Sequence, residues 1–336
     1  MSPTMLLRQS RSVLCRVSAS HAKSLSALAL AGLKSYYSSS SSSSSSSSQS
    51  STFEQATELQ GSANANAYVA AVTDKYSIGG VPNGGYLAGI CTRAAQATFG
   101  GAYANVVSVS GPFHAAVAEA SPADVTTEVL HAGRSSASAL VRVQQNDDLK
   151  CTFIVQMGDY SRMRGIAVHH LQPPQLAPLE HCINASEAIQ KDFRGMFRVA
   201  DEVEFRVPPA SAFAVTTMAH KPDLEADCSI AGYMRFTDGG MPNLEFFCDA
   251  APPPTLNAAT THWVPTLEYS VHMWADPQIE YAAKGPDERW VRFNFSSKYV
   301  HDGLVSTDGE LWTDEEHPKL LARSRQLARH LLPKKN

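Results

Sequence analysis

Few residues in this 336-residue chain stand where their side chains can do chemistry. Asp249 falls within an apolar helix candidate, Pro242–Ala250, where a carboxylate can accept a proton from water. A helix end, or a carboxylate bound to a nearby backbone amide, is the plainer explanation. Asn83-Gly84-Gly85-Tyr86 opens a second helix candidate. There Asn83 can cap free N–H groups, and the amides of Gly84 and Gly85, at a positive helix end, can face a thioester oxygen or a phosphate. Close packing of helix on sheet explains the same glycines without any ligand. Other reactive patterns are missing: there is no G-x-S-x-G elbow, no H-E-x-x-H and no Walker-type phosphate loop. His169-His170 and His220 lack metal-ligand spacing, and the six cysteines form no C-x-x-C pair, so no metal or cofactor is expected. Cys91, Cys151 and Cys248 read as small buried residues.

These residues need elements to hold them, and the two halves of the chain repeat the same order. A helix candidate at Asn83–Phe99 precedes strand candidates at Asn105–Val117, Ala123–His131, Ser135–Gln145 and Lys150–Met157. The helix candidate Pro242–Ala250 precedes His262–Trp274, Trp290–Tyr299, Leu304–Trp312 and Pro318–His330. Val125, Thr127 and Val129, and later Val291, Phe293 and Phe295, alternate with their neighbours as half-buried strands do. Glycine-bearing turns recur at His131-Ala132-Gly133 and His301-Asp302-Gly303. The last segment is two-sided: Leu320, Leu321, Ser324, Leu327 and Leu331 have helical spacing, whereas its place in the repeat requires a strand. Short antiparallel strands wrapped on a helix, told twice, describe an α+β unit in duplicate. In this comparison Ala88-Gly89-Ile90-Cys91 stand opposite Phe247-Cys248-Asp249-Ala250, so the first copy has no helix carboxylate, and Gln156 stands opposite Gln326.

Composition narrows the setting. The chain is 43% hydrophobic and 18% charged, which suits a globular protein, and no apolar run approaches the roughly 18 residues of a membrane span. Residues 1–53 hold five of the 28 basic residues and none of the 32 acidic ones, among many serines and alanines. That is the composition of a mitochondrial transit peptide, and a matrix location is expected. Its removal takes the formal net charge from −4 to −9, which disfavours nucleic acid as a partner. The tract Ser38–Ser48 reads as a disordered linker, and the sequons at Asn184 and Asn294 matter only for a secreted chain. The expected units are 54–171, a connection at 172–196 that begins with Gln172-Pro173-Pro174, a second unit at 197–332, and a tail at 333–336.

Several segments together resemble the type II, TesB-like acyl-CoA thioesterases. They are Gly84-Gly85-Tyr86-Leu87-Ala88-Gly89, Glu128-Val129-Leu130-His131-Ala132-Gly133-Arg134-Ser135, Cys248-Asp249-Ala250, Pro265-Thr266-Leu267-Glu268-Tyr269-Ser270-Val271-His272 and Ala322-Arg323-Ser324-Arg325-Gln326-Leu327. The resemblance spans about Phe53 to Leu332 and implies a double hotdog, two tandem units each with an antiparallel sheet wrapped on a helix. It also implies acyl-CoA as substrate and one active site per chain, in which Asp249 takes a proton from water while Thr266 and Gln326 orient that water. Substrate contacts are expected at Gly84, Gly85, Tyr86 and His114, with the Gly85 amide at the developing oxyanion. One departure stands out: Pro112-Phe113-His114-Ala115-Ala116-Val117 replaces the family's basic, proline-bearing turn. The tail Pro333-Lys334-Lys335-Asn336 lacks the peroxisomal tripeptide of some relatives. Duplicated hotdogs pair their sheets within a chain, and a homodimer of such chains is expected. Two other functions fit the same fold: a binding or scaffold protein without activity, and a hydratase or dehydratase, for which no histidine neighbours Asp249.

Overall fold

Alternating apolar residues become strands that bury one face each. The computed structural model describes residues 51–192, 195–260 and 263–331. The presequence up to residue 50, the serine tract and the tail 333–336 lie outside the described residues. The strands are β1 (Leu59–Gly61), β2 (Ala67–Val72), β3 (Ser77–Ile78), β4 (Val81–Pro82), β5 (Asn105–Pro112), β6 (Ser121–Ala132), β7 (Ser136–Gln145), β8 (Asp148–Gly158), β9 (Ile183–Asn184), β10 (Val203–Val207), β11 (Ser229–Phe236), β12 (Thr266–Met273), β13 (Val291–His301), β14 (Leu304–Thr313) and β15 (Leu320–Arg329). All except β3 and β4 join one antiparallel sheet in the order β1-β2-β6-β7-β8-β5-β12-β15-β14-β13-β11-β10-β9. Near its middle, β5 and β12 pair from Pro112–Glu268 to Ser108–His272, so the two halves share a single sheet. This is the double hotdog that the family resemblance implied, built on the duplicated α+β order of the sequence.

The final segment is a strand despite its helical spacing. β15 is paired on both sides, Gln326 standing opposite Tyr269 of β12 and Thr307 of β14, and two ladders of backbone hydrogen bonds outweigh periodicity. The hairpins differ more than the sequence comparison suggested. Asp302 and Gly303 both have positive φ, the geometry of a tight two-residue turn. The first-half turn is wider, closing with Gly133 N–H on Ser136 O at 2.9 Å.

The first helix runs Gly84–Phe99. Asn83 Oδ1 accepts from the Tyr86 amide at 3.0 Å at its start, and Gly100 ends it at φ +58°. The second-half helix is shorter than the expected Pro242–Ala250. It is one turn, Leu244–Phe247, begun in the same way by Asn243 Oδ1 on the Phe246 amide at 2.8 Å. Cys248 and Asp249 follow its end, and Pro252-Pro253-Pro254 cannot continue it. The two Pro-Asn caps, Pro82-Asn83 and Pro242-Asn243, set the register between the halves at 160 residues. Gly89, not Ile90, therefore matches Asp249. The sheet gives a second correction: Val109 faces Val155 as Tyr269 faces Gln326, so Val155 occupies the place of Gln326. Gln156 points out to solvent.

The folded unit starts earlier and is joined differently than the sequence boundaries implied. Ser51 caps the helix Thr52–Ala56, and the buried Phe53 ring lies 5.1 Å from Tyr76 and 4.9 Å from Phe246 between centroids. Burying such a ring contributes about 2 kcal/mol, so Phe53 belongs to the core rather than to a disposable leader. The expected connection 172–196 contains β9 and the helix Ala185–Asp192, both part of the second half. Its proline-rich stretch is held where Tyr233 Oη donates to Ala177 O at 3.0 Å. No helix among the described residues is long and apolar enough to cross a membrane.

Candidate active site

Both helices begin or end beside one cavity of about 370 Å³. The first helix contributes its start, Asn83 and Gly84; the second contributes the residues just past its end, Cys248 and Asp249. Thr266 from β12, Thr307 from β14 and Gln326 from β15 complete the polar wall. Thr266 stands opposite Ala328, two residues from Gln326, so the period of two puts Thr266, Ala328 and Gln326 on the same face of the sheet. A bulge between Thr266 and Glu268 interrupts the ladder beside the cavity.

Asp249 is the centre of this wall. Its Oδ1 accepts from Gln326 Nε2 at 2.7 Å and its Oδ2 from the Gly85 amide at 2.9 Å. Gln326 Nε2 also reaches Cys248 O at 3.2 Å, which fixes the amide against rotation. Asn83 Nδ2 donates to the Asp249 carbonyl at 2.8 Å while its Oδ1 caps the helix, so one side chain ties the two halves together. Burial raises the Asp249 carboxyl from 3.8 to about 6, against the opposing pull of the Gly85 amide, Gln326, the Gly84 amide and Asn83. A carboxylate with that affinity is ionised at neutral pH yet basic enough to take a proton from water. Burial also pushes the Cys248 thiol far up, which leaves no thiolate to serve as a nucleophile.

The two glycines divide between the readings the sequence offered, Gly85 serving close packing and Gly84 bordering the cavity. A Cβ on Gly85 would lie 2.6 Å from Glu245 O and 2.9 Å from Phe246 Cα, so its absence lets helix pack on helix. Its amide is engaged by Asp249, and the expected oxyanion donor is instead the group that holds the acid. A Cβ on Gly84 would meet Phe113 Cζ at 2.7 Å and Asp249 Oδ2 at 3.0 Å, and Gly84 does line the cavity. Tyr86 does not. It is fully buried, donating to Ala56 O at 2.8 Å and accepting from the Thr73 amide, so it is a core residue and not a substrate contact. His114 lines the cavity from an exposed position, with Nε2 3.0 Å from Thr152 Oγ1. The unusual segment Phe113–Val117 forms a wall, its Phe113 amide on Leu267 O at 3.0 Å and its His114 amide on Lys150 O at 2.8 Å. Leu87, Leu256, Phe295, Val305 and the three prolines make the remainder of the lining largely apolar.

Comparison with known families agrees with this architecture. The profile of the acyl-CoA thioesterase N-terminal domain matches residues 72–158, and that of the C-terminal domain matches residues 179–329. The chain belongs to the acyl-CoA thioesterase family. Within that family its TesB-like double hotdog has solved counterparts. A provisionally assigned thioesterase II from Thermobifida fusca is 24% identical with a TM-score of 0.67, over 84% of this chain and 98% of that one. A protein of unknown function with a hot dog fold from Alicyclobacillus acidocaldarius is 17% identical with a TM-score of 0.68, over 85% and 100%. The acyl-CoA thioesterase II TesB2 from Mycobacterium marinum is 19% identical with a TM-score of 0.60, over 84% and 99%. At these identities the structures establish the fold. No curated protein matches the chain.

Two of the three residues expected to act on water in this thioesterase-family chain are therefore in direct contact, Asp249 with Gln326, and Thr266 shares their cavity. Asn83 was legible only as a helix cap. Its second bond, to the Asp249 carbonyl, joins residues 166 positions apart, and no local pattern signals it.

Proposed function

We propose that this chain hydrolyses acyl-CoA thioesters through a water molecule activated by Asp249. The observation that carries the reading is the Asp249 carboxylate, held between Gln326 Nε2 and the Gly85 amide on the wall of a mostly apolar cavity. In this mechanism Asp249 takes a proton as the water oxygen attacks the thioester carbonyl carbon. The tetrahedral intermediate then breaks its C–S bond, and the CoA sulfur leaves and takes up the proton that Asp249 holds. No covalent acyl-enzyme forms. Gln326 locks the carboxylate in one orientation, and the Thr266 hydroxyl offers the water a further hydrogen bond. The apolar walls, from Phe113 to the prolines, receive the acyl chain.

Release of free thiol from a panel of short, medium and long acyl-CoAs tests the reading. Turnover of at least one chain length is expected from the protein beginning at Ser51. Binding of acyl-CoA without turnover at any length would replace the enzyme with a binding protein. The matrix location inferred from the acid-free presequence adds a cellular expectation: a tagged full chain should co-fractionate with mitochondria. Light scattering on the purified protein should give the mass of a dimer.

A further inference from the structure

The two copies can be compared row by row across the sheet, because residues directly opposite one another on neighbouring strands share a face. One row of the second half runs Tyr269-Gln326-Thr307 across β12, β15 and β14. Its counterpart across β5, β8 and β7 is Val109-Val155-Ala139. The next row is Thr266-Ala328-Val305 in the second half and Val106-Met157-Ala137 in the first. Gln326 for Val155 and Thr266 for Val106 are exchanges that water activation explains. Thr307 for Ala139 and Ala328 for Met157 are not yet explained, and both alter the same piece of cavity wall.

The fully buried Met157 fills its place in the first copy, whereas the short Ala328 leaves the cavity open between Thr266 and Thr307. Thr307 Oγ1 lies 2.7 Å from Ser297 Oγ, both side chains being buried, where the first copy sets Val129 opposite Ala139. Two hydroxyls carry two protons, and their mutual bond uses one. Among the described residues neither oxygen has a further hydrogen-bond partner. Thr307 is the member of the pair that lines the cavity. With Ser297 donating to Thr307, the Thr307 proton is turned to the cavity; the opposite sense would leave a buried Ser297 proton without an acceptor, which is costly.

Attack on a thioester needs such a donor, because the carbonyl oxygen gains negative charge as water adds. The Gly85 amide is held by Asp249 Oδ2, and Gln326 Nε2 is engaged by Cys248 O and Asp249 Oδ1. Neighbouring strands lie about 4.8 Å apart, so Thr266 and Thr307 stand about 10 Å apart across the sheet. A water bonded to Thr266, an attack contact of about 3 Å and a carbonyl bonded to Thr307 fill that gap above Ala328.

We propose that Thr307 is a further catalytic residue whose hydroxyl donates to the thioester oxygen as charge develops there, and that Ser297 positions it. The inference rests on the reading of Asp249 as the base. As the water oxygen bonds to the carbonyl carbon, its proton passes to Asp249 and the π pair comes to rest on the oxygen that Thr307 meets. When the C=O bond re-forms, the C–S pair leaves with sulfur, which takes the proton from Asp249. Thr307 keeps its own proton throughout.

Steady-state thiol release from one unsubstituted acyl-CoA tests the assignment. Thr307→Val should lower kcat by about a hundredfold with KM within about twofold of wild type. Thr307→Ser, which keeps the hydroxyl, should restore most of the turnover. Because valine leaves the buried Ser297 hydroxyl unpaired, the double variant Ser297→Ala/Thr307→Val serves as a second probe. It has no orphaned hydroxyl, so it should melt at the wild-type temperature and still be as slow as the valine variant. Ser297→Ala alone should lower kcat by a smaller factor at unchanged KM. Wild-type kcat in Thr307→Val or in the double variant, or a raised KM with kcat unchanged, overturns the proposal while leaving Asp249 as the base. Absence of turnover by the wild-type protein at every chain length overturns it together with the reading on which it rests.

Discussion

The backbone amide of Gly85 donates to Oδ2 of Asp249 at 2.9 Å, across 164 residues of chain. The positive end of a helix in one half thereby stabilises an acid belonging to the other half. Duplication has produced a division of labour: the first copy supplies the support, and the second supplies the carboxylate and its Gln326 partner.

Gly85→Ala tests that support. The added methyl would stand 2.6 Å from Glu245 O and 2.9 Å from Phe246 Cα, backbone atoms that cannot turn aside. Overpacking of this kind costs about 1–3 kcal/mol, and the displaced helix would carry Asp249 with it. A lower denaturant midpoint together with lower kcat is expected; unchanged values of both would contradict the packing argument.

Gln326→Ala removes the 2.7 Å bond to Asp249 Oδ1 and leaves the cavity walls in place. A fall in kcat of about ten- to a hundredfold with little change in KM is expected, since the lost group positions the base rather than the acyl chain. Steady-state kinetics separates the two parameters.

The raised Asp249 carboxyl makes two pH predictions. As the base must be ionised, kcat/KM should rise with pH through a limb centred near pH 6. Stability runs the other way. The folded protein binds the Asp249 proton more tightly than the unfolded chain does between about pH 3.8 and 6, so stability falls as pH rises through that window. Above it the cost is fully present, about 3 kcal/mol for a shift of this size. Denaturant melts of wild type and Asp249→Asn should therefore converge in favour of wild type near pH 4 and move against it by pH 8.

Tyr86 was expected at the substrate and lies instead in the core. Tyr86→Phe should leave KM and kcat nearly unchanged while lowering stability by about 1 kcal/mol, the usual loss for unpairing the Ala56 carbonyl and the Thr73 amide. Paired melting and kinetic measurements check this.

The sequence made the strands and the first helix readable because both rest on local regularities: Val291, Phe293 and Phe295 alternate, and Asn83 and Gly100 punctuate a helical run. β15 was ambiguous because its leucines fit both periods, and only its pairing with β12 and β14 decides between them. The error in matching Gly89 with Cys248 arose because the second helix is one turn long, too short for periodicity to set a register; the shared Pro-Asn cap does so. Asp249 and Gln326 were legible through family resemblance, whereas the diversion of the Gly85 amide to Asp249 depends on how closely two helices approach. Tyr86 misled because Asn83 and Gly84, just before it, do border the cavity, and on a helix nearby residues point to different sides.

The most direct test of the account is the turnover of Asp249→Asn. Asparagine keeps the shape and a hydrogen-bonding oxygen but cannot take a proton from water. The account predicts that thiol release from the best acyl-CoA substrate falls by about a hundredfold or more, with acyl-CoA binding retained. Turnover at the wild-type rate would contradict it and remove Asp249 as the base.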